Sequence, residues 1–394
     1  MCKKKFLIIG LTDSQEQFFI PEIQQIIRNG KTFSGGKRHR QIMERWLPEN
    51  ARWIDVTVPL ENVFAEYHQY DNIVVFASGD PLFYGYAVTL RREFPQAELT
   101  VYPAFNSLQL LAHKLMLPYA DMMNVSVTGR PWKNLDVALM ENRSLIGVLT
   151  DRKKTPAEIA RRLLYYGYDN YRMYVGECLG NTEEKAQSIT LQDAIGREFE
   201  VPNCVILEMS DPRKRFFGIP ENLFCHLEGR ENMITKMPVR LLSLAMLDLY
   251  GKSVMWDIGF CTGSVSIEAK LQFPQLDVIA FERREESRRL FDDNCRKFGC
   301  PGIESVIADF MDCDVESFPR PDAVFIGGHG GRLGDMVDKV CHYMRPGGAL
   351  VFNSVSAESC DNFIKAAEKC GKMISARHTL KLDEHNPITI IKAE

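Results

Sequence analysis

Short apolar runs that alternate with amphipathic stretches restrict the fold of this 394-residue chain more than any other feature. The apolar runs have the length of strands, and helical patterns such as Pro156–Tyr166 lie between most of them. That helix has Thr155 as its N-cap and Glu158 three residues later, and Gly167 ends it. Such alternation predicts α/β sheets covered by helices on both faces. The predicted strands of the first half are Phe6–Ile9, Trp53–Val58, Asn72–Ala77, Glu98–Tyr102, Asn124–Val127, Ser144–Leu149, Arg172–Val175 and Asn203–Glu208.

The alternation pauses between about Ser210 and Lys236, where the sequence is polar and rich in turn residues. A pause of this kind is typical of a domain boundary. We therefore predict two domains, residues 1–210 and residues 211–394.

A second alternating series follows this boundary. Its two closing runs, Ile374–Leu382 and Ile388–Lys392, are joined by Asp383-Glu384-His385-Asn386-Pro387 and predict an antiparallel hairpin. With the hairpin, the second domain is predicted to hold a seven-stranded Rossmann-like sheet. Its other predicted strands are Val254–Ile258, Val278–Phe281, Ser305–Ala308, Ala323–Ile326 and Ala349–Asn353.

Charge and composition argue against several classes of protein. The 48 Lys and Arg residues and the 52 Asp and Glu residues leave a net charge of −4, without the basic excess of a general nucleic-acid binder. No apolar run approaches the ~20 residues that span a bilayer. Met1–Lys5 is basic, but the apolar run after it is too short for a secretory signal, so we expect a cytoplasmic protein. The 11 Cys residues form no C-x-x-C pair and the 8 His residues no H-E-x-x-H motif, so we predict no protein-built metal site.

A glycine loop in the second domain indicates a small-molecule site. The predicted strand Val254–Ile258 runs into a turn that contains Gly259, Thr262 and Gly263, and a helix follows. A dinucleotide loop needs the spacing G-x-G-x-x-G, because a pyrophosphate must sit on the helix N-terminus. Here the spacing is G-x-x-x-G, and Asp257 just before it would repel a phosphate and attract an ammonium. The ligand is therefore expected to be cationic or zwitterionic, and S-adenosylmethionine fits.

Two further carboxylates stand at the ends of the next predicted strands. Glu282 lies 23 positions after Gly259, where a carboxylate can accept both hydrogen bonds of a ribose diol. Asp309 ends the third strand, placed to reach an adenine amino group. A purely structural alternative has Asp257 capping the helix and Glu282 as a solvated strand end. The order of all these features favours a cofactor site.

A second glycine run follows the fourth strand of this domain. Four glycines, Gly327, Gly328, Gly330 and Gly331, fall within five residues, and they would let a large planar ligand lie against main chain. The alternative is a flexible surface loop. Lys236 and Arg240 are four apart, so on a helix they would share a face and could pair with substrate carboxylates, or they form a solvated helix start.

These segments resemble the class I S-adenosylmethionine-dependent methyltransferases. More narrowly, Ile234–Arg240, the long glycine loop and Phe325–Gly331 resemble the precorrin C15-methylating, decarboxylating family of cobalamin biosynthesis. The resemblance covers about Gly218–Glu394. It implies S-adenosylmethionine as the methyl donor and a tetrapyrrole as the substrate.

The first domain carries a Gly-Asp-Pro motif after the strand Asn72–Ala77. Gly79 permits a tight turn, Asp80 can cap a helix and Pro81 fits the first helical position, which is a complete structural explanation. The motif also resembles that of the tetrapyrrole methylases, the class III methyltransferases. Four further regions resemble the same family, namely Ser34–His39, Pro103–Gln109, Ser126–Arg130 and the pair Leu149–Asp151 and Thr155–Ile159.

This second resemblance covers about Lys4–Met209, in two lobes. It implies a second donor site containing Gly79, Asp80, Pro81, Ser107 and Thr150. The first strand departs from the family, because Gly10–Ser14 stands where a glycine-proline-glycine loop is usual, and Thr128 replaces the usual His.

Together the two halves resemble the fused C5,15-methylating, decarboxylating precorrin methyltransferases. The resemblance implies methylation of carbon 5 by the first domain, and methylation of carbon 15 with loss of the ring C acetate carboxyl by the second. It also implies a precorrin or cobalt-precorrin substrate and a homo-oligomer. No catalytic acid or base is predicted. Alternatives are a fused methylase for other tetrapyrrole carbons, and a tetrapyrrole-binding module with one inactive half.

Overall fold

The structure is a computed structural model that describes residues 4–383 and 386–394. The chain folds into two compact units. The first unit comprises the segment up to Arg130 together with Ser144–Arg161 and Tyr171–Ser210. The second comprises Pro131–Arg143, Arg162–Asn170 and Asp211–Glu394, so two short segments before residue 210 group with the later sequence. The assignment of two domains as 1–210 and 211–394 stays a prediction.

The first unit begins with a five-stranded parallel sheet in the order β3-β2-β4-β1-β5. Phe6, Ile8 and Ile9 of the first strand are fully buried, as expected for an interior strand, and β1 lies between β4 and β5. The elements are β1 (Lys5–Leu11), α1 (Pro21–Asn29), β2 (Thr32–Gly35), α2 (Lys37–Met43), β3 (Arg52–Asp55), α3 (Leu60–Tyr67), β4 (Asn72–Ser78), α4 (Tyr86–Glu93), β5 (Glu98–Tyr102) and α5 (Ser107–Lys114).

A second five-stranded sheet follows, in the order β6-β7-β10-β8-β9. Only β6 and β7 pair in parallel, and the other neighbours are antiparallel. The elements of this part of the chain are β6 (Met123–Ser126), α6 (Lys133–Met140), β7 (Leu145–Leu149), α7 (Pro156–Tyr165), β8 (Tyr171–Glu177), β9 (Lys185–Ile189), α8 (Leu191–Ile195) and β10 (Asn203–Met209). Of these, α6 belongs to the second unit.

The second unit contains the predicted seven-stranded sheet, in the order β13-β12-β11-β14-β15-β17-β16. Five strands are parallel, and β17 and β16 form the predicted antiparallel hairpin. Glu384 and His385 of the predicted connection lie outside the described residues. The elements are α9 (Met237–Leu247), β11 (Val254–Ile258), α10 (Ser264–Gln272), β12 (Asp277–Glu282), α11 (Glu286–Phe298), β13 (Ile303–Ile307), β14 (Ala323–Ile326), α12 (Leu333–Tyr343), β15 (Ala349–Ser354), α13 (Ala357–Lys369), β16 (Ile374–Leu380) and β17 (Ile388–Ala393).

All five residues of β11 are buried, because apolar layers cover both faces of the sheet. Trp256 packs into the layer that contains α12 and α13, and Met255 packs into the layer that contains α9 and α10. The neighbours of β11 are β12 and β14, so the order of the strands reverses at this position. In open α/β sheets a crevice for ligands forms at the carboxyl ends of the strands at such a reversal. The predicted α/β fold class is confirmed, and in residues 4–383 and 386–394 no helix is long and apolar enough to span a membrane.

The helix that follows the Gly-Asp-Pro motif begins later than the sequence predicts. It begins at Tyr86, with Gly85 as its N-cap. Tyr84 has a φ of +53°, in the left-handed region that a right-handed helix cannot contain. Asp80 and Pro81 therefore lie in a turn, and the prediction that they cap a helix is wrong.

Two glycines bring the ends of β1 and β4 into direct main-chain contact. A Cβ atom at Gly10 would lie 2.0 Å from the carbonyl oxygen of Gly79 and 2.6 Å from the nitrogen of Ala104. The Gly79 nitrogen donates to the carbonyl of Leu11 at 2.7 Å, and the Ala104 nitrogen donates to the carbonyl of Gly79 at 3.2 Å. Gly10 thus has no room for any side chain, although its φ is ordinary.

Gly10→Ala is expected to lower the free energy of unfolding by about 1–3 kcal/mol, the usual cost of overpacking. Gly196 is the matched control in the same unit, because nothing lies within 4 Å of its Cβ position. Gly196→Ala should be neutral or slightly stabilising. Urea unfolding of the two full-length variants tests this, and equal stabilities would contradict the close contact.

Candidate cofactor and substrate sites

A cavity of about 410 Å³ opens at the carboxyl ends of the parallel strands of the second unit. The strands β11, β12 and β14 end at it, as the reversal of strand order leads one to expect. Seven of the predicted site residues line this cavity, namely Gly259, Thr262, Glu282, Asp309, Gly327, Gly328 and Gly330.

The two glycine loops of this unit touch through bare backbone. Gly259 has a φ of +82°, and a Cβ atom there would lie 2.7 Å from the nitrogen of Gly328. The Gly327 nitrogen donates to the carbonyl of Ile258 at 2.8 Å, which fixes the second loop against the end of β11. Main chain therefore forms one wall of the cavity, where a ligand can approach closely.

Main-chain N–H groups hold the Glu282 carboxylate at the cavity. The nitrogens of Cys261, Arg283 and Arg284 donate to it at 3.0, 2.9 and 3.1 Å. The Arg284 guanidinium adds an ion pair at 3.1 Å. The carboxylate is only 2% exposed, so it is oriented before any ligand arrives.

Asp257 lies fully buried behind the first glycine loop, outside the cavity lining. One carboxylate oxygen accepts from the Ser266 nitrogen at 3.1 Å and from the Ser266 hydroxyl, so Asp257 helps to cap α10. The other oxygen has no partner in the described part of the chain. Burial, with a smaller contribution from the nearby Glu282 charge, raises the pKa of Asp257 to about 7.

The Thr262 hydroxyl is a second buried polar atom without a partner among the described residues. Unpaired buried groups are rare in folded proteins, and they fit a ligand that brings donors and positive charge. The Glu282 carboxylate and the Thr262 hydroxyl, which both line the cavity, are compatible with a zwitterionic nucleoside such as S-adenosylmethionine.

Asp309 lies at the cavity, but its carboxylate already has two partners. One oxygen accepts from the Met311 nitrogen at 3.0 Å, and the other pairs with Arg332 at 2.6 Å. The Met311 hydrogen bond and the Arg332 charge lower the pKa of Asp309, so it stays ionised. Gly331 is placed elsewhere and lines a neighbouring cavity with Gly334 and Asp338.

Gly263 does not line the cavity. It is the N-cap of α10 with a φ of +77°, and a Cβ atom there would lie 2.3 Å from the Phe291 ring. The structure requires glycine at this position for packing against α11. A side chain at Gly263 would thus meet Phe291 and not the cavity, and the assignment of Gly263 as a cofactor-binding residue stays a prediction.

Arg240 was predicted to bind substrate carboxylates, and this prediction is wrong. Its side chain is 0% exposed and pairs with the equally buried Glu268 at 3.2 Å. Its other donors reach the carbonyls of Thr235 and Ile219. Lys236 precedes α9 as its N-cap and does not line the cavity, so the two cations do not share a helix face toward it.

The first unit contains a cavity of about 440 Å³ at the ends of β1, β2 and β4. Of the predicted residues, Gly79 and Ser107 line it. Asp80 accepts from the Leu82 nitrogen at 2.8 Å and lies with Pro81 outside the lining. Thr150 also lies outside, but its hydroxyl lies 2.6 Å from both the carbonyl and the side-chain oxygens of the lining residue Asn203. Asp80, Pro81 and Thr150 thus lie outside the lining, and their assignment as cofactor-binding residues stays a prediction.

Sequence reasoning assigned no role to four polar residues of this cavity, Asp13, Arg38, His39 and Ser78. They are joined by hydrogen bonds and by an ion pair. Their signal in the sequence is their position at or just after β1, β2 and β4, where parallel strands direct ligand-binding groups. We call them the Ser78 cluster.

Two family models match the chain. The model described as Precorrin methyltransferase domain matches residues 227–390, and the model described as Tetrapyrrole (Corrin/Porphyrin) Methylases matches residues 22–195. A precorrin-6Y C(5,15)-methyltransferase (decarboxylating) of a Sinorhizobium species is 30% identical over 355 residues, 89% of this chain and 84% of the relative. The chain belongs to the precorrin-6Y C5,15-methyltransferase (decarboxylating) family. The resemblance expected from the motifs is confirmed.

Two shorter Salmonella typhimurium proteins are similar to parts of this member of the family. A cobalt-precorrin-6B C(15)-methyltransferase (decarboxylating) is 40% identical over 133 residues, 34% of this chain and 68% of the relative. A cobalt-precorrin-7 C(5)-methyltransferase is 27% identical over 202 residues, 51% of this chain and 98% of the relative. The two activities named together in the fused relative are thus named separately in these proteins.

Arg240→Leu is expected to destabilise the second unit by about 3–5 kcal/mol, because it leaves Glu268 buried without its cation. Hydrogen exchange of α9 and α10 in urea measures this. Lys365→Leu, on the exposed face of α13, is the control and should change stability by less than about 0.5 kcal/mol. If Arg240→Leu left the stability unchanged and weakened tetrapyrrole binding, the result would support a substrate-binding role for Arg240 after all.

The folded chain keeps the Asp257 proton up to about pH 7, whereas an unfolded Asp loses it near pH 4. Folding therefore binds a proton in this window, and the Asp257 contribution to stability is lost as pH rises from about 4 to about 7. Asp257→Asn should remove that part of the pH dependence. The exposed Asp361→Asn should leave it unchanged. Denaturation at several pH values is the measurement, and an unaltered slope for Asp257→Asn would contradict the buried proton.

Proposed function

We propose that this chain methylates carbons 5 and 15 of a precorrin or cobalt-precorrin and removes carbon dioxide from the ring C acetate, with S-adenosylmethionine as donor, in cobalamin biosynthesis. The observation that carries the proposal is that each unit has its own cavity at the ends of parallel strands, bordered by its own glycine contact. We also propose that the protein is cytoplasmic and forms a homo-oligomer, as expected from the sequence.

In the second unit the chain orients and encloses its ligands. The Glu282 carboxylate is an acceptor for the ribose hydroxyls, and the unpaired hydroxyl oxygen of Thr262 suits a donor group of the ligand. When bound, S-adenosylmethionine supplies an electrophilic methyl group. The glycine wall formed by Gly327, Gly328 and Gly330 offers a flat surface for the tetrapyrrole, and closure around it would exclude water.

Methyl transfer to carbon needs no protein nucleophile, because the enamine-like carbon of the tetrapyrrole attacks directly. The one thiol in the lining, that of Cys261, has its pKa raised to about 11 by burial, and it donates to the carbonyl of Met233 at 3.2 Å. It is therefore protonated and unsuited to covalent catalysis. In the decarboxylation the bond between the acetate carboxyl and its methylene breaks, and the electron pair enters the electron-poor conjugated system of the substrate.

The carbon-5 reaction is assigned to the cavity of the first unit. The main-chain contact of Gly10 and Gly79 borders it, and Ser107 lies at the start of α5 on its wall. Asn106 and Gln109 form a capping box that fixes this helix start.

Matched glycine variants in the full-length chain test the assignment of one reaction to each unit. Gly259→Ala places a Cβ atom 2.7 Å from Gly328, and Gly79→Ala places one 2.9 Å from Asn106, both at positive φ. Displacing a cavity wall by about 1 Å should cost about a hundredfold in rate. Gly259→Ala should therefore lose carbon-15 methylation and carbon dioxide release together, and Gly79→Ala should lose carbon-5 methylation only.

Anaerobic incubation with labelled donor, followed by mass spectrometry, counts the methyl groups gained and the carbon dioxide lost. Where one methylation must precede the other, each variant receives the substrate already methylated at the first carbon. Gly334→Ala and Gly196→Ala are controls, because both Cβ positions are open. Carbon dioxide release that persists in Gly259→Ala would overturn the assignment of decarboxylation to the second unit.

A further inference from the structure

The donors and acceptors of the Ser78 cluster can be assigned from its hydrogen bonds. The assignment leaves the O–H group of Ser78 without an acceptor among the described residues. The Gly36 nitrogen donates to Nδ1 of His39 at 3.2 Å, so the ring proton of neutral His39 is on Nε2. That Nε2 lies 2.9 Å from the Ser78 oxygen. His39 is thus a donor to Ser78 and cannot act as a base that activates it.

The charge state of His39 supports its assignment as a donor to Ser78. Burial, and then the neighbouring Arg38 charge, lower the pKa of His39 to about 4. The ring is therefore neutral near pH 7. With Nδ1 occupied by the Gly36 N–H, the Nε2 tautomer is the one that satisfies both ring nitrogens.

Arg38 occupies the second acceptor position of the Ser78 oxygen. Its Nη2 donates to Ser78 at 2.9 Å, and its Nε pairs with Asp13 at 3.2 Å. A hydroxyl oxygen has two acceptor positions, and His39 and Arg38 fill both of them. The O–H of Ser78 must then donate, and Ser78 is an exposed residue of the cavity lining.

The Arg38 guanidinium also has N–H donors that are available to a ligand. Arg has five N–H donors, and within the described chain two of them are in use. Its side chain is 43% exposed, whereas that of Asp13 is 12% exposed and also accepts from Asn181 at 3.3 Å. Both residues line the cavity, but the Arg38 cation is the more exposed partner of the pair and Asp13 the more buried one.

We propose that Ser78 and Arg38 form a carboxylate-binding pair in the first cavity, with Ser78 donating one hydrogen bond and Arg38 supplying the charge. His39 is a positioning residue, because it fixes the direction of the Ser78 hydroxyl. A preoriented O–H beside a guanidinium suits an anionic acceptor with two oxygens. This inference rests on the proposed function, which brings two carboxylate sources to the cavity, the tetrapyrrole side chains and the amino-acid end of the methyl donor.

Ser78→Ala in the full-length chain tests the pair. For the ligand whose carboxylate binds there, we expect the KM of carbon-5 methylation to rise about tenfold, while carbon-15 methylation in the same chain is unchanged. Arg38→Gln should have the larger effect, because it also removes the charge. Ser78→Thr keeps the hydroxyl and should recover most of the loss. Ser188→Ala, on the exposed strand β9, is the matched control without effect.

Two arms distinguish the carboxylate sources. A rise in the KM of the tetrapyrrole alone assigns the pair to the substrate. If the donor is the source, Ser78→Ala weakens inhibition of carbon-5 methylation by S-adenosylhomocysteine but not by 5′-methylthioadenosine, which lacks the carboxylate. Calorimetry with both nucleosides and with the tetrapyrrole measures the same difference in affinity without turnover. The carboxylate-binding pair is therefore tested by binding alone, whereas a wild-type chain without activity would reject only the proposed function.

Unchanged affinity for both ligands in Ser78→Ala would overturn the proposal. Equal losses at carbons 5 and 15 would do the same, because they indicate general damage to the fold.

Discussion

Main chain pressed against main chain at the carboxyl ends of parallel strands is the contact on which both cavities depend. In the first unit Gly10 meets the carbonyl of Gly79, and in the second Gly259 meets the nitrogen of Gly328. A side chain at Gly10 or at Gly259 would separate loops that come from neighbouring strands. Glycine there costs conformational entropy on folding, and the close approach offsets it by giving ligands a rigid wall of backbone.

Main-chain N–H groups and ion pairs hold the buried carboxylates of the second unit, with Arg284 paired to Glu282 and Arg240 paired to Glu268. Three backbone nitrogens orient Glu282, and two more, from Gly218 and Ile219, donate to Glu268 beside Arg240. These bonds offset the desolvation of the carboxylates. Burial raises the pKa of Asp257, and the hydrogen bonds from Ser266 offset this only in part, because they reach one oxygen while the other has no partner among the described residues.

The sequence predicts the role of a residue well when that role follows from its position at a strand end. It does not predict the role well when that depends on the direction in which the side chain points. Glu282 and Gly259 line the cavity as expected, because strand order places the ends of β11 and β12 together. Arg240 has the spacing of a ligand-binding face, yet that face points into the protein toward Glu268. The strand β9 was missed because its sequence is polar and mostly exposed, as in an edge strand, and β2 because it is only four residues long.

The sequence by itself determined the α/β class, the hairpin that closes the seven-stranded sheet, and the membership in a family of fused methyltransferases, because periodicity and motifs are local. Only the tertiary structure decided which polar groups meet. The Ser78 cluster joins residues separated by up to 65 positions along the chain, and the helix after Gly79 starts late because Tyr84 turns left-handed. The direction of a side chain and the pairing of donors with acceptors depend on contacts between elements that are distant in the sequence. No short segment encodes such contacts.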